Sequence, residues 1–252
     1  MPRNFTYQAL VLRLKASGES NREAWFLTAE EGLLKATVYG GPKSRLRAYV
    51  APFHEGKLWI YRNSIKDSNK ANDFDVQSYR PGIRELWERA MAADAVVETI
   101  LSSQGSGGNW PEAVRLAGAV LDALNEAAAK ACSRIAIYFF WHWAQLLGVR
   151  PELSACACCP CEAKREDVLW YSARKEVLLC EKCSIDINKE GTDSLLRVGG
   201  GARLWLKEIE SLPPAALERV TLDESSLEQA KALSQAVLAG ALGRRLTTWS
   251  GI

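Results

Sequence analysis

Arg80-Pro81-Gly82 divides this sequence into two parts with different periods. Before it, short β-prone runs alternate with turn residues; after it, apolar residues recur every three to four positions. Proline lacks a backbone donor and glycine favours conformations that other residues avoid, so the pair interrupts any ladder or helix that reaches it. A change of period from 2 to 3.6 across such a break predicts strands on one side and helices on the other.

On the N-terminal side, Phe5 to Leu14 is apolar and β-rich, and Lys15 to Glu23 reads as a loop. Ala24-Trp25-Phe26-Leu27-Thr28 and Leu33 to Tyr39 form further strands, joined at Glu31-Gly32. After the break at Gly40-Gly41-Pro42, Arg45 to Phe53 alternates long basic, aromatic and small residues. Glu55-Gly56 then turns into Lys57-Leu58-Trp59-Ile60-Tyr61. Several short strands within 5–79 predict a small sandwich or barrel. A five-stranded OB-fold suits this length, and an SH3-like barrel is the alternative that strand count leaves open.

On the C-terminal side, Ile83 to Leu101 places Leu86, Ala90, Ala93, Val97 and Ile100 at helical core spacing. Gly105-Ser106-Gly107-Gly108 is a connector, and Pro111 opens a helix running to about Ala131 with Val114, Ala117, Leu121, Leu124 and Ala128 on one face. Ile135 to Leu147 is apolar nearly all round, as in the middle of a bundle. Leu204 to Leu212 forms a short helix stopped by Pro213-Pro214. Ser225-Ser226-Leu227-Glu228 reads as a capping box opening the last helix, which is expected to pack back on the helices of 83–148.

Six of the seven cysteines lie between 156 and 183, as Cys156-Ala157-Cys158-Cys159-Pro160-Cys161 and Cys180-Glu181-Lys182-Cys183. Two Cys-x-x-Cys pairs at this separation predict a closed four-sulfur zinc site, which is structural because no coordination position stays open. Either Cys156/Cys159 or Cys158/Cys161 completes the spacing. Between the pairs, Val168 to Ser172 and Glu176 to Leu179 flank Arg174-Lys175, so a hairpin brings the two knuckles together. Cys132, in an apolar helical stretch, reads as a small buried hydrophobe.

Net charge is +2, but residues 1–80 hold 13 Lys/Arg against 8 Asp/Glu, a net of +5. Between Leu34 and Lys70 the ratio is 8 to 2, a local excess that suits a polyanion. Lys43, Arg45 and Arg47 lie two apart and share one side of an extended strand. Tyr39, Tyr49, Trp59 and Tyr61 interleave with this region, and cations with aromatic platforms hold single strands without reading sequence. Catalysis finds little support. The two histidines, His54 and His142, have no nucleophile beside them in sequence, and no phosphate-loop or nucleophile-elbow motif occurs. No apolar run reaches membrane length, and the N-terminus lacks a signal-peptide pattern, so a cytoplasmic location is expected.

These residues resemble the RecO family of bacterial recombination mediators. The likeness starts at Gln8-Ala9-Leu10-Val11-Leu12-Arg13 and passes through Gly18-Glu19-Ser20, Phe26-Leu27-Thr28 and Glu31-Gly32. It is most specific at Lys43-Ser44-Arg45-Leu46-Arg47 and Pro52-Phe53. It resumes at Leu146-Leu147-Gly148, Pro151-Glu152-Leu153, Cys156-x-x-Cys159 and Leu178-Leu179-Cys180-x-x-Cys183.

The resemblance implies an α+β multidomain chain. An OB-fold (1–80) is followed by a helical domain (81–150 and 196–252) with a zinc module (151–195) inserted. It implies a non-enzymatic protein that binds single- and double-stranded DNA and anneals strands. Its partners are RecR, the tail of the single-stranded-DNA-binding protein and, indirectly, RecA, in the cytoplasm at the nucleoid. The implied DNA contacts are Arg13, Lys35, Lys43, Arg45 and Arg47. Pro151 and Leu153 favour Cys156, Cys159, Cys180 and Cys183 as ligands of one structural Zn2+. The rival expectation is a zinc-stapled protein adaptor without direct DNA binding; a catalytic zinc is a third.

Overall fold

The computed structural model describes residues 3–41, 43–105, 108–189, 191 and 193–252. Pro42 of the glycine-rich break and Ser106-Gly107 of the connector lie outside them. The chain forms two compact units, Met1–Glu126 and Ala127–Ile252.

The first unit contains the barrel. Strands β1 (Asn4–Ser17), β2 (Asn21–Thr28), β3 (Gly32–Val38), β4 (Glu55–Asn63) and β5 (Ser68–Ser78) close in the order β1-β2-β3-β5-β4, with β4 returning to β1. The closing seam is parallel and brief: β3 meets β5 at Thr37↔Lys70 and Val38↔Ala71. This order is that of a five-stranded OB barrel. Alternate residues turn inward, so Ala9, Val11, Ala24, Phe26, Leu34, Ala36, Leu58, Ile60 and Phe74 fill the interior. A bulge shifts the register between Val11 and Arg13.

Arg45 to Phe53 is not a strand. Arg45–Tyr49 forms a short helix, α1, between β3 and β4. Leu46 and Tyr49, three apart, pack against the barrel interior, and their helical spacing sets the local structure. Five residues are too few for a period of 3.6 to stand out against alternation. Strand β5 was equally unmarked: Asn69, Asn72, Asp73 and Asp75 are poor strand formers, and Ala71 and Phe74 supply its fully buried anchors.

At the boundary, Arg80 takes a left-handed conformation (φ 50°) and Pro81–Arg84 makes one 3-10 turn. The Arg80 guanidinium, 3% exposed, donates to Glu55 Oε2 and Asp122 Oδ1 (both 2.6 Å) and to the carbonyls of Phe53 and Gly118. It thus joins the barrel to helix α3 (Trp110–Glu126), which follows α2 (Trp87–Ser102). Helices α2 and α3 pack on β1 and β2, where the outward Leu10, Leu12 and Leu27 are buried. Gly32 (φ +73°) turns β2 into β3 so close to Trp110 that a Cβ would sit 2.6 Å from the indole nitrogen.

The helix expected to reach Ala131 stops at Glu126, and α4 (Ala129–Leu146) begins after an extended Ala128 (ψ 153°). The sequence there is all helix formers, so no local signal marks the break. Helix α4 opens the second unit and is buried nearly all round, as its composition predicts. Phe139 stacks on Trp143, and Phe140 meets Trp249. Cys132 is buried on the same helix.

A three-stranded sheet, β7 (Val177–Leu179), β6 (Leu169–Ser172) and β8 (Leu195–Val198), carries the expected hairpin at 173–176. Helices α5 (Glu181–Ile187), α6 (Gly200–Ile209) and α7 (Glu224–Leu242) complete the unit, and α7 packs on α4 and α6. The cap of α7 is Asp223, whose carboxylate accepts from the Ser226 N–H; Ser225 instead bonds Gln229 inside the helix. Buried Arg203 on α6 donates to the carbonyls of Leu153, Lys164 and Asp167 and so clamps the cysteine-bearing loop. Among the described residues no helix is long and apolar enough to cross a membrane.

Candidate nucleic-acid interface and metal centre

Register decides which basic residues share a face. Arg13 on β1 pairs with Trp25 on β2, and Trp25 pairs with Lys35 on β3. The three side chains therefore form one outward row across the barrel. The next row reads Lys15, Glu23, Thr37. Lys35 Nζ lies 2.8 Å from Glu23 Oε1 and 5.2 Å from the centre of the Trp25 ring. On α2, burial pushes the Asp94 carboxyl up while nearby Arg13 works against the rise.

Lys43, Arg45 and Arg47 do not form a stripe. Lys43 lies in the turn before α1, and Arg45 and Arg47, two apart on a helix, point about 200° from each other. Arg45 is exposed and donates to the Tyr49 hydroxyl at 3.1 Å. Arg47 is half-buried and reaches the Ser20 carbonyl (3.4 Å) in the β1–β2 loop. The five cations thus divide into a β-sheet pair, Arg13 and Lys35, and a group of three around α1.

The aromatic residues also divide. Tyr49 packs on the core. Trp59 and Tyr61 are on β4, where Trp59 pairs with Asp73 and Lys57 with Asp75, an acidic border unsuited to phosphate. Tyr39 is half-exposed at the end of β3, with Lys70 Nζ 5.6 Å from its ring. Trp25, Lys15 and Lys70 join this face through register alone, which the sequence does not display.

In the second unit, the hairpin and the start of α5 bring Cys156, Cys159, Cys180 and Cys183 together, their sulfurs all within 4.8 Å of one another. Cys158 and Cys161 are exposed and lie outside this cluster. Cys159 Sγ and Cys180 Sγ are 3.7 Å apart, close to the ~3.8 Å edge of a tetrahedron with ~2.3 Å metal–sulfur bonds. The donor set fits a four-coordinate soft ion. A knuckle turn forms the first pair: the Cys156 N–H donates to the Cys161 carbonyl, and the Cys158 N–H points at Cys156 Sγ (3.4 Å). Burial raises the Cys156 thiol, but N–H groups of Cys180, Cys158 and Cys159 outweigh it and hold the thiol at about 6. The Cys183 thiol is pushed up, mainly by its hydrogen bonds to Cys180 and Cys159. Sulfurs this close do not all ionise without a cation among them.

Neither histidine sits in a catalytic arrangement. His54 Nδ1 is 2.8 Å from the Tyr49 carbonyl, and His142 Nδ1 is 2.9 Å from the Tyr138 carbonyl.

A family model described as Recombination protein O N terminal matches residues 1–73, and one described as Recombination protein O C terminal matches residues 84–250. A DNA repair protein RecO from Pelotomaculum thermopropionicum is 28% identical over 199 residues, covering 75% of this chain and 74% of that protein. A DNA repair protein RecO from Desulfitobacterium hafniense (strain DSM 10664 / DCB-2) is 25% identical over 251 residues, covering 96% and 86%.

Proposed function

The chain belongs to the RecO family, and from that premise we propose that it is a DNA repair and recombination mediator that binds single- and double-stranded DNA and anneals complementary strands. The observation that carries this reading is the outward row Arg13–Trp25–Lys35 on an OB barrel, with Lys43, Arg45 and Arg47 around α1. The mechanism is electrostatic. Lysine and arginine side chains replace counterions on the phosphates, so that two strands repel less and their bases can meet. No bond is made or broken. In this reading the protein acts with RecR and engages the tail of the single-stranded-DNA-binding protein. It helps load RecA on the strand so released, and it works at the nucleoid.

Cys156, Cys159, Cys180 and Cys183 would hold one Zn2+. Four thiolates close the coordination shell, so the metal supplies folding energy rather than chemistry. The barrel then carries the DNA contacts.

The test is a low-salt titration of labelled single-stranded and duplex DNA, followed by mixing complementary strands. The expected result is binding indifferent to sequence and annealing faster than the spontaneous rate. A chain that binds neither DNA form at low salt is not acting as this reading requires.

A further inference from the structure

Two aromatic rings share the cationic face of the barrel, and each has a lysine over it. Trp25, half-buried, lies between Arg13 and Lys35 in the β1-β2-β3 ladder. Tyr39 follows Lys35 and Thr37 in the outward alternation of β3, with Lys70 beside it on β5. We propose that Trp25 and Tyr39 are base-stacking platforms for single-stranded DNA and that Lys70 is a further phosphate contact. This assignment rests on the DNA-binding reading above and names where the bases go.

Exposed cation–π contacts are weak, and every base has a π-face, so a base can displace the ammonium from either ring. The freed lysine then meets the phosphate that the base brings with it. Tyr39, the residue just past β3, is four residues from Lys35, about 13 Å along the chain if it stays extended. The two rings therefore serve separate bases instead of sandwiching one. Glu23, 2.8 Å from Lys35, competes with the phosphate for that ammonium. The third lysine-covered ring, Trp59 beneath Lys57, is bordered by Asp73 and Asp75 and is not part of the site.

The test compares an oligo-dT strand with an abasic strand of equal length, by fluorescence anisotropy over a salt series. Wild type is expected to bind the abasic strand more weakly. Trp25→Leu and Tyr39→Leu each lose about five- to tenfold affinity for dT with the salt slope unchanged, and the double variant no longer distinguishes the two strands. Lys70→Gln flattens the slope by about 0.7, and Glu23→Gln tightens binding. Equal wild-type affinity for dT and abasic strands would falsify the platforms while leaving DNA binding intact. Failure of wild type to bind either strand overturns the functional reading, and the platforms with it. If Trp25→Leu does not fold, Tyr39→Leu and the wild-type abasic comparison still decide.

Discussion

The salt dependence of single-strand binding can be worked out from the positions of the candidate cations. If Arg13, Lys35, Lys43, Arg45 and Arg47 each neutralise one phosphate, log K falls with log salt at a slope of about −3.5, taking ~0.7 per contact. Raising salt fourfold, from about 50 to 200 mM, then weakens binding about 130-fold. The double substitution Arg45→Gln with Arg47→Gln leaves three contacts, a slope of about −2.1 and a loss near 20-fold over the same range. The geometry of α1 adds a sharper expectation. Arg45 is exposed, whereas Arg47 is half-buried against the Ser20 carbonyl, and the two point in opposite directions. They cannot serve one row of phosphates, so the loss of slope in the double variant should divide unevenly between the single variants, with Arg45→Gln taking the larger share. The assay is fluorescence anisotropy of a labelled oligonucleotide at four or five salt concentrations, with circular dichroism to confirm folding. A double variant with the wild-type slope would show that α1 does not touch the backbone. Equal effects of the two single variants would refute the argument from their orientation.

Chelation, or Cys156→Ser, should release one metal per chain and unfold the cysteine module, whereas Cys158→Ser and Cys161→Ser keep the metal; loss of metal from either of the latter would mean that the ligand set is misassigned. Arg80→Met should cost about 3 kcal/mol or more in urea unfolding, because it leaves the Glu55 carboxylate and the Phe53 carbonyl without their partner; a cost under about 1 kcal/mol contradicts the clamp. Burial holds His54 and His142 below the usual histidine value, against the pull of their carbonyl partners. The unfolded chain then binds more protons, so their stabilisation is present above about pH 6.5 and is lost as pH falls toward their folded values. Urea midpoints at pH 7.5 and 5.5 should separate, and by less in the double variant His54→Gln, His142→Gln.

Much of this was legible in the sequence, for physical reasons that differ by element. The barrel and the bundle helix α4 announce themselves because burial on alternate residues, or on all sides, demands a matching apolar pattern. The four-cysteine cluster is legible because thiol chemistry at fixed spacing has few other uses. Helix α1 is hidden in the sequence because Lys43, Arg45 and Arg47 look the same at period two whether the chain is extended or helical. Only Leu46 and Tyr49, reaching the barrel interior, select the helix. The break at Ala128 has no breaker residue, so tertiary packing must impose it. The cap of α7 went to Asp223 because its carboxylate reaches the Ser226 N–H first. Trp25 was invisible as a surface residue because cross-strand register is a property of the folded sheet.

The brief parallel seam between β3 and β5 bears on order of folding and on exchange. Every other strand pair in the barrel is antiparallel and longer, while this one is parallel and rests on Thr37↔Lys70 and Val38↔Ala71 alone. Non-local parallel pairings form late in folding, and weakly hydrogen-bonded edges open first in the native state. The barrel thus behaves as a sheet held by a latch, and amide protons at the seam should exchange with solvent ahead of those in the β1–β2 ladder. Lys35 and Lys70 stand on opposite sides of the latch. A ligand bound across it would slow that exchange, making the closing of the barrel a direct readout of occupancy.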